Sequence, residues 1–246
     1  MIKNSSKQKV FYGLPKKVVF CKECLMSNQR PNMMPEHYNQ DIKTTTKFKD
    51  DLCDACRWNK KKKDIDWEER EFELCELLNK YRSRNGSYDV VVPGSGGKDS
   101  FYVWHMLKYK YKMNPITCTF APHIYTKWGN KNLYNWINSG CSNYLFTSDN
   151  RVHRMITRIA TEKLFHPFQG WVLGQKNFPV KFAAMIKIPF IMYGENPAEY
   201  GNPQADTKTA LRSEDYFAVD NAENVFLSGV SIKDLISEYG LKKVDI

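Results

Sequence analysis

Two groups of residues in this 246-residue chain have the types and spacing of working chemistry. The first is Ser95-Gly96-Gly97-Lys98-Asp99-Ser100. It follows the apolar run Tyr88-Asp89-Val90-Val91-Val92-Pro93 and precedes a helix expected from Asp99 to about Tyr111. A strand, a glycine turn and a helix N-terminus together make an anion site. Adjacent glycines let backbone N–H groups approach a phosphate, and the helix dipole adds to the attraction. Lys98 brings a mobile positive charge and Ser100 a hydroxyl. The common nucleotide loop, Gly-x-x-x-x-Gly-Lys-Ser/Thr, is not met: Gly97 would need a glycine at Val92, and Asp99 follows the lysine. The second group is Cys21-Lys22-Glu23-Cys24 and Cys53-Asp54-Ala55-Cys56. Two-residue spacing turns both sulfurs of a pair toward one ion, and two pairs close a tetrahedral thiolate site for structural zinc. Iron in a rubredoxin-like site is the alternative metal.

Three loops are weaker candidates. Gly194-Glu195-Asn196-Pro197-Ala198-Glu199-Tyr200-Gly201 crowds two carboxylates and an amide into one segment, which suits a magnesium ligand or a substrate contact at Glu195 and Asn196. Residues 121–129, with His123, Tyr125 and Trp128, are aromatic enough to cover a base or a sugar ring. Gly174-Gln175-Lys176-Asn177 reads as the turn before a helix, either anion-binding or simply capped. Cys75, Cys118 and Cys141 stand singly. Cys75 and Cys118 read as core residues, and a catalytic thiol at Cys118 or Cys141 is the sharper alternative.

These residues need elements to hold them. Asp66 and Glu69 form a capping box for a helix whose Leu74, Leu77, Leu78 and Tyr81 recur at helical spacing, ending near Asn85-Gly86. Beyond it, strands are expected at 88–93, 115–120, 143–147 and 188–193, and helices at 99–111, 130–138, 151–164, 177–186 and 231–239. Such alternation gives an α/β fold with a parallel sheet, whose ligands bind at the carboxyl ends of the strands. The organisation expected is a loose lead over 1–17, a four-cysteine zinc module over 18–63 and an α/β domain carrying the glycine turn over 64–246.

Charge is unevenly placed. The net charge is +10, and residues 1–63 hold 15 Lys and Arg against 6 Asp and Glu. A basic head suits nucleic acid, a docking surface or an anionic substrate, although the run Lys60–Lys63 reads first as a solvated stretch. No apolar run is long enough to span a bilayer and the N-terminus has no signal core, so the expectation is a soluble, cytoplasmic protein without membrane insertion.

The glycine segment resembles the PP-loop of ATP pyrophosphatases, Ser-Gly-Gly-x-Asp-Ser, at every position. Together with Cys21–Pro31, Ile65-Asp66-Trp67-Glu68-Glu69-Arg70 and Gly194–Gly201, it resembles the N-acetyl sugar amidotransferases of pseudaminic acid and lipopolysaccharide O-antigen synthesis. The resemblance covers roughly residues 18–246. It implies a PP-loop (adenine nucleotide α-hydrolase-like) fold with sheet order 3-2-1-4-5. It implies ATP, magnesium and structural zinc. It also implies conversion of an acetamido group of a nucleotide-activated sugar to acetamidino, with release of AMP and pyrophosphate. Carried onto this chain, Ser95, Gly96, Gly97, Lys98, Asp99 and Ser100 hold the phosphates, and Asp99 helps position magnesium. The expected strand order sets Glu195 and Asn196 beside them, and Cys21, Cys24, Cys53 and Cys56 bind zinc. Ammonia is expected from a glutaminase partner, because no glutaminase nucleophile motif stands out here.

Two other readings compete. A PP-loop enzyme that thiolates tRNA or forms lysidine suits a zinc module and a basic head, but thiolation generally needs a reactive cysteine near the core. The family is also longer at its C-terminus than this chain, so a truncated, non-catalytic zinc-bearing partner protein is the third.

Overall fold

A computed structural model describes residues 14–30, 45–200 and 225–245. The first part of the polar lead, half of the segment between the two cysteine pairs, and Gly201 therefore lie outside the described residues. The chain divides into two units, residues 1–66 with 196–213, and residues 67–195 with 214–246.

In the first unit, β1 (Phe48–Lys49) and β2 (Leu52–Cys53) form an antiparallel hairpin. Its two turn residues, Asp50 and Asp51, have φ of 53° and 62°. Two left-handed residues match the strand twist, as a two-residue hairpin requires, and aspartate tolerates that conformation better than most residues. Helix α1 (Asp54–Lys61) starts directly from β2, with Cys53 as its cap, and a 3-10 turn at Lys62–Asp64 follows it. The 3-10 turn Pro197–Tyr200 packs against α1, and Lys62 Nζ lies 2.8 Å from the Glu199 carboxylate.

The second unit is α/β. Helix α2 (Trp67–Tyr81) presents the expected stripe: Leu78 is fully buried, and Leu74, Leu77 and Tyr81 pack beside it. Three parallel strands follow, β3 (Val90–Pro93), β4 (Pro115–Phe120) and β5 (Asn143–Phe146), in the order β3-β4-β5. Pairing runs from Val90 opposite Pro115 and from Thr117 opposite Asn143. The expected strand at 188–193 is reduced to one parallel bridge, Val91 to Ile191, made by Val91 N–H to Phe190 O and Met192 N–H to Val91 O at 2.9 Å each. Counting strands by the sequence expectation, the neighbours run 3-2-1-4. Among the described residues no fifth strand joins this sheet.

Both faces of the sheet are covered, which is why β3 is apolar throughout. Val90 and Val92 enter a cluster with Leu78, Trp104, Leu107, Leu133, Trp136 and Phe190. Val91 enters the opposite cluster with Ile116, Cys118, Phe182, Ala183 and Ile188. The helices are α3 (Lys98–His105, continued by a π turn over Met106–Lys110), α4 (Lys127–Ile137), α5 (Asn150–Leu164) and α6 (Gln169–Met185). A small hairpin, β6 (Phe226–Leu227) and β7 (Val230–Ser231), leads into α7 (Ile232–Ser237). It closes a third cluster with Ile156 and Ile159 of α5.

Helix α6 corrects the expectation of a helix over 177–186. It begins eight residues earlier, so Gly174-Gln175-Lys176-Asn177 is interior helix and not the turn before one. An interior segment has its N–H groups engaged along the helix, so the anion-binding alternative there falls. Gly174 has a packing reason: a Cβ would lie 2.3 Å from Phe120 Cζ, so only glycine lets α6 sit this close to β4.

Candidate phosphate loop and cysteine cluster

The turn after β3 is built by its glycines and by its neighbours. Gly94 donates its N–H to Cys118 O at 3.0 Å, and Gly94 O accepts from Thr119 Oγ1 at 2.6 Å. Thr119 in turn accepts from Asn143 Nδ2 at 3.1 Å. A part-buried polar chain centred on the buried Thr119 thus runs from β5 through β4 to the turn and fixes where it starts. Thr119 and Asn143 were missed in the sequence, because alternation within a buried strand does not distinguish a threonine packed as a valine from one that holds a loop.

Gly96 has φ +85°, and a Cβ there would meet Asn132 O of α4 at 2.1 Å. That glycine is required by the fold. Gly97 is different. Its φ of −66° and ψ of 152° suit any residue, and an added Cβ would meet nothing within 4 Å. Packing within the protein does not explain the second glycine, whose side of the turn is open. Gly97 is also the cap of α3 and has no side chain to occupy the first N–H groups of that helix. Ser100 Oγ donates to Gly97 O at 3.1 Å and closes the first turn. The Lys98 side chain is 87% exposed, with Nζ 2.6 Å from Asp99 Oδ1. Backbone N–H groups, a helix start, a lysine, a carboxylate and a hydroxyl therefore lie together, an arrangement that can hold an anion and a cation bridged to it.

The loop after the Val91–Ile191 bridge reaches the same place. A Cβ on Gly194 would lie 2.7 Å from Ser100 N and 2.8 Å from the Asp99 carbonyl carbon. Gly194 is thus in contact with the first turn of α3, and Glu195, the next residue, is exposed. The two other polar residues of that loop have local work. Asn196 Oδ1 accepts from Ala198 N–H at 3.1 Å, an Asx turn, and the Glu199 carboxylate is paired with Lys62.

The single cysteines are placed as core or hydrogen-bonded groups. Cys118 is 1% exposed, and burial pushes its thiol up to about 12, which makes it a poor nucleophile. Cys141 Sγ donates to Trp136 O at 3.1 Å. Cys75 is half-buried. The aromatic loop 121–129 splits in function: Thr126 caps α4 by accepting from Gly129 N–H at 3.0 Å, and Tyr125 packs against the core.

In the first unit Cys21, Cys24, Cys53 and Cys56 bring their four sulfurs within 4.8 Å of one another. Sulfurs at the corners of a tetrahedron around zinc, at ~2.3 Å from it, lie roughly 3.8 Å apart. The Cys24 to Cys53 separation is 3.5 Å. The first pair sits in a knuckle, where Leu25 N–H bonds to Cys21 O at 3.0 Å and Cys21 N–H to Met26 O at 2.9 Å. The second pair opens α1. Lys22 N–H to Asp51 O at 3.0 Å and Cys53 N–H to Cys21 Sγ at 3.4 Å tie the two together. Burial opposes ionisation of Cys21, but N–H groups of Cys24, Cys53 and Glu23 outweigh it and hold the thiol at about 6. Burial pushes Cys53 and Cys56 up. A dication at the centre would stabilise all four as thiolates, so the donor set fits zinc in a closed structural site.

Among the described residues, no helix is long and apolar enough to cross a membrane. No family model matches the chain, and no curated protein matches it.

Proposed function

We propose that this chain is an ATP-dependent amidotransferase of the PP-loop class, acting on an acetamido group of a nucleotide-activated sugar in surface polysaccharide or flagellin glycan synthesis. The observation that carries the reading is the convergence at the first turn of α3. An open-sided Gly97, the Lys98–Asp99 pair and the Gly194–Glu195 loop meet there at the carboxyl edge of a parallel sheet. The choice of substrate rests on the resemblance of the cysteine, glycine and glutamate segments taken together.

In this reading the turn from Ser95 to Ser100 binds the β and γ phosphates of ATP through backbone N–H groups, with Lys98 neutralising charge as pyrophosphate leaves. Asp99 and Glu195 are the groups that would hold magnesium there. The acetamido oxygen attacks the α phosphorus and pyrophosphate departs. Ammonia, supplied by a glutaminase subunit, then attacks the activated carbon. AMP leaves with the former acetamido oxygen, and loss of a proton gives the amidine. The cysteine cluster, with zinc, has a structural part. Asp99→Asn tests the assignment: turnover is expected to vanish with zinc content unchanged, and full activity or loss of zinc in that variant would count against it.

The basic first unit favours one competing reading, a tRNA-modifying enzyme. The burial of Cys118 weighs against the thiolation form of it. Tight, salt-sensitive tRNA binding by the purified chain would favour that reading over ours.

A further inference from the structure

A second cluster of polar groups stands at the same edge of the sheet, on the loops that follow β4 and β5. His123 comes from the first loop. Ser148 comes from the second, and His153 from the first turn of α5. The two imidazoles are in edge contact, with ring centroids 5.4 Å apart. His153 is 8% exposed and its Nδ1 lies 3.0 Å from Ser148 Oγ. His153 Nε2 and His123 Nδ1 are buried without a hydrogen-bond partner among the described residues. Phe168 closes the side of the cluster, 5.1 Å from the His123 ring and 45% exposed. Trp171 backs it, with Nε1 donating to Phe120 O at 3.3 Å.

Leaving two ring nitrogens unpaired out of water is costly. The chemistry they offer is narrow. If Ser148 donates to Nδ1 of His153, Nε2 carries a proton and donates. If Nδ1 donates to Ser148, Nε2 accepts. A hydroxyl or an amide satisfies either state, because each can donate and accept. Phe168 adds a partly exposed aromatic face beside those nitrogens. Polar groups converging next to an exposed ring are what a pyranose calls for: its hydroxyls bond in the ring plane while its C–H face lies on the aromatic.

We infer that His123, Ser148, His153 and Phe168 form the seat of the acceptor sugar, with Phe168 as the stacking platform and the two imidazoles bonding to sugar hydroxyl or acetamido groups. This rests on the amidotransferase reading, which needs such a sugar but assigns it no residues. A neutral imidazole at His153 suits the role. Burial, and then the facing His123, lower the pKa of His153, so it stays uncharged at neutral pH.

The test is a titration of the zinc-loaded full chain, carrying isotope-labelled histidine, with a panel of UDP-, GDP- and CMP-linked acetamido sugars and with each matching nucleotide lacking the sugar. The His123 and His153 ring resonances are expected to move with at least one sugar nucleotide and not with its nucleotide alone. Phe168→Ala, at a partly exposed position that should not disturb folding, is expected to weaken that binding about ten-fold or more while ATP affinity is unchanged. A sugar nucleotide that binds without moving these resonances, or binds Phe168→Ala as well as the parent, overturns the seat and leaves the amidotransferase reading standing. A chain that binds ATP but none of the sugar nucleotides overturns both.

Discussion

At the scale of single residues, the two glycines of the turn separate folding from binding. Gly96→Ala places a Cβ against the Asn132 carbonyl at a backbone φ that alanine resists. Left-handed strain alone costs about 1–2 kcal/mol, so a thermal melt is expected to fall by several degrees. Gly97→Ala meets neither obstacle and is expected to melt as the parent does, while ATP binding weakens ten-fold or more. A Gly97→Ala chain with parental ATP affinity would mean that the open side of the turn receives no ligand. Thr119→Val tests the polar chain that holds the turn. It leaves the part-buried Gly94 carbonyl without its hydroxyl donor, a loss of about 1 kcal/mol, and ATP binding is expected to weaken with stability. His153 gives a pH dependence. Its folded pKa is lowered, so below the unfolded value the unfolded chain binds more protons than the folded one. Stability should therefore rise with pH from the folded pKa up to about 6.5. Melts of the parent and of His153→Gln across pH 5 to 7 check this. The parent curve is expected to be the steeper, and equal slopes would remove His153 as the cause.

At the scale of elements, what could be read in the sequence depended on whether one segment carried its own signal. Strands β3 and β4, the α2 stripe and the start of α3 were legible because apolar runs, helical spacing and a glycine turn each mark themselves locally. The start of α6 was not. Gly170, Gly174 and Pro179 are residues of low helix propensity, yet the glycines are where α6 approaches Ile156 and Phe120, and the proline sits inside the helix. Only a partner surface gives those residues their meaning. The strand at 188–193 was legible as an apolar run but holds only one bridge to β3, from Val91 to Ile191. Of the candidate site, the six-residue turn and the cysteines were visible in the sequence. The supports at Thr119 and Asn143 and the His123–His153 contact were not, since they pair residues from different strands and loops. Gly174→Ala tests the α6 packing. A higher helix propensity would stabilise the chain by up to about 1 kcal/mol, but the clash with Phe120 is expected to win and lower the melt. A rise would show that α6 can shift.

At the scale of the whole molecule, the chain divides into a unit with few buried apolar residues among those described and a unit with three apolar clusters. Zinc held by the four cysteines would tie the first unit together, so its folding and its metal binding would be one equilibrium. One zinc per chain is expected by metal analysis. Chelation or Cys53→Ser is expected to expose the first unit to protease while residues 67–195 stay protected. Equal protection of both units without metal would contradict a structural role for the cluster. The central claim is tested most directly by turnover with ATP, magnesium, ammonium and a panel of nucleotide-linked acetamido sugars, following pyrophosphate and the mass of the sugar. The account predicts sugar-dependent AMP and pyrophosphate together with the small mass decrease of an oxygen replaced by NH. ATP binding without sugar-dependent pyrophosphate release or mass change would contradict it.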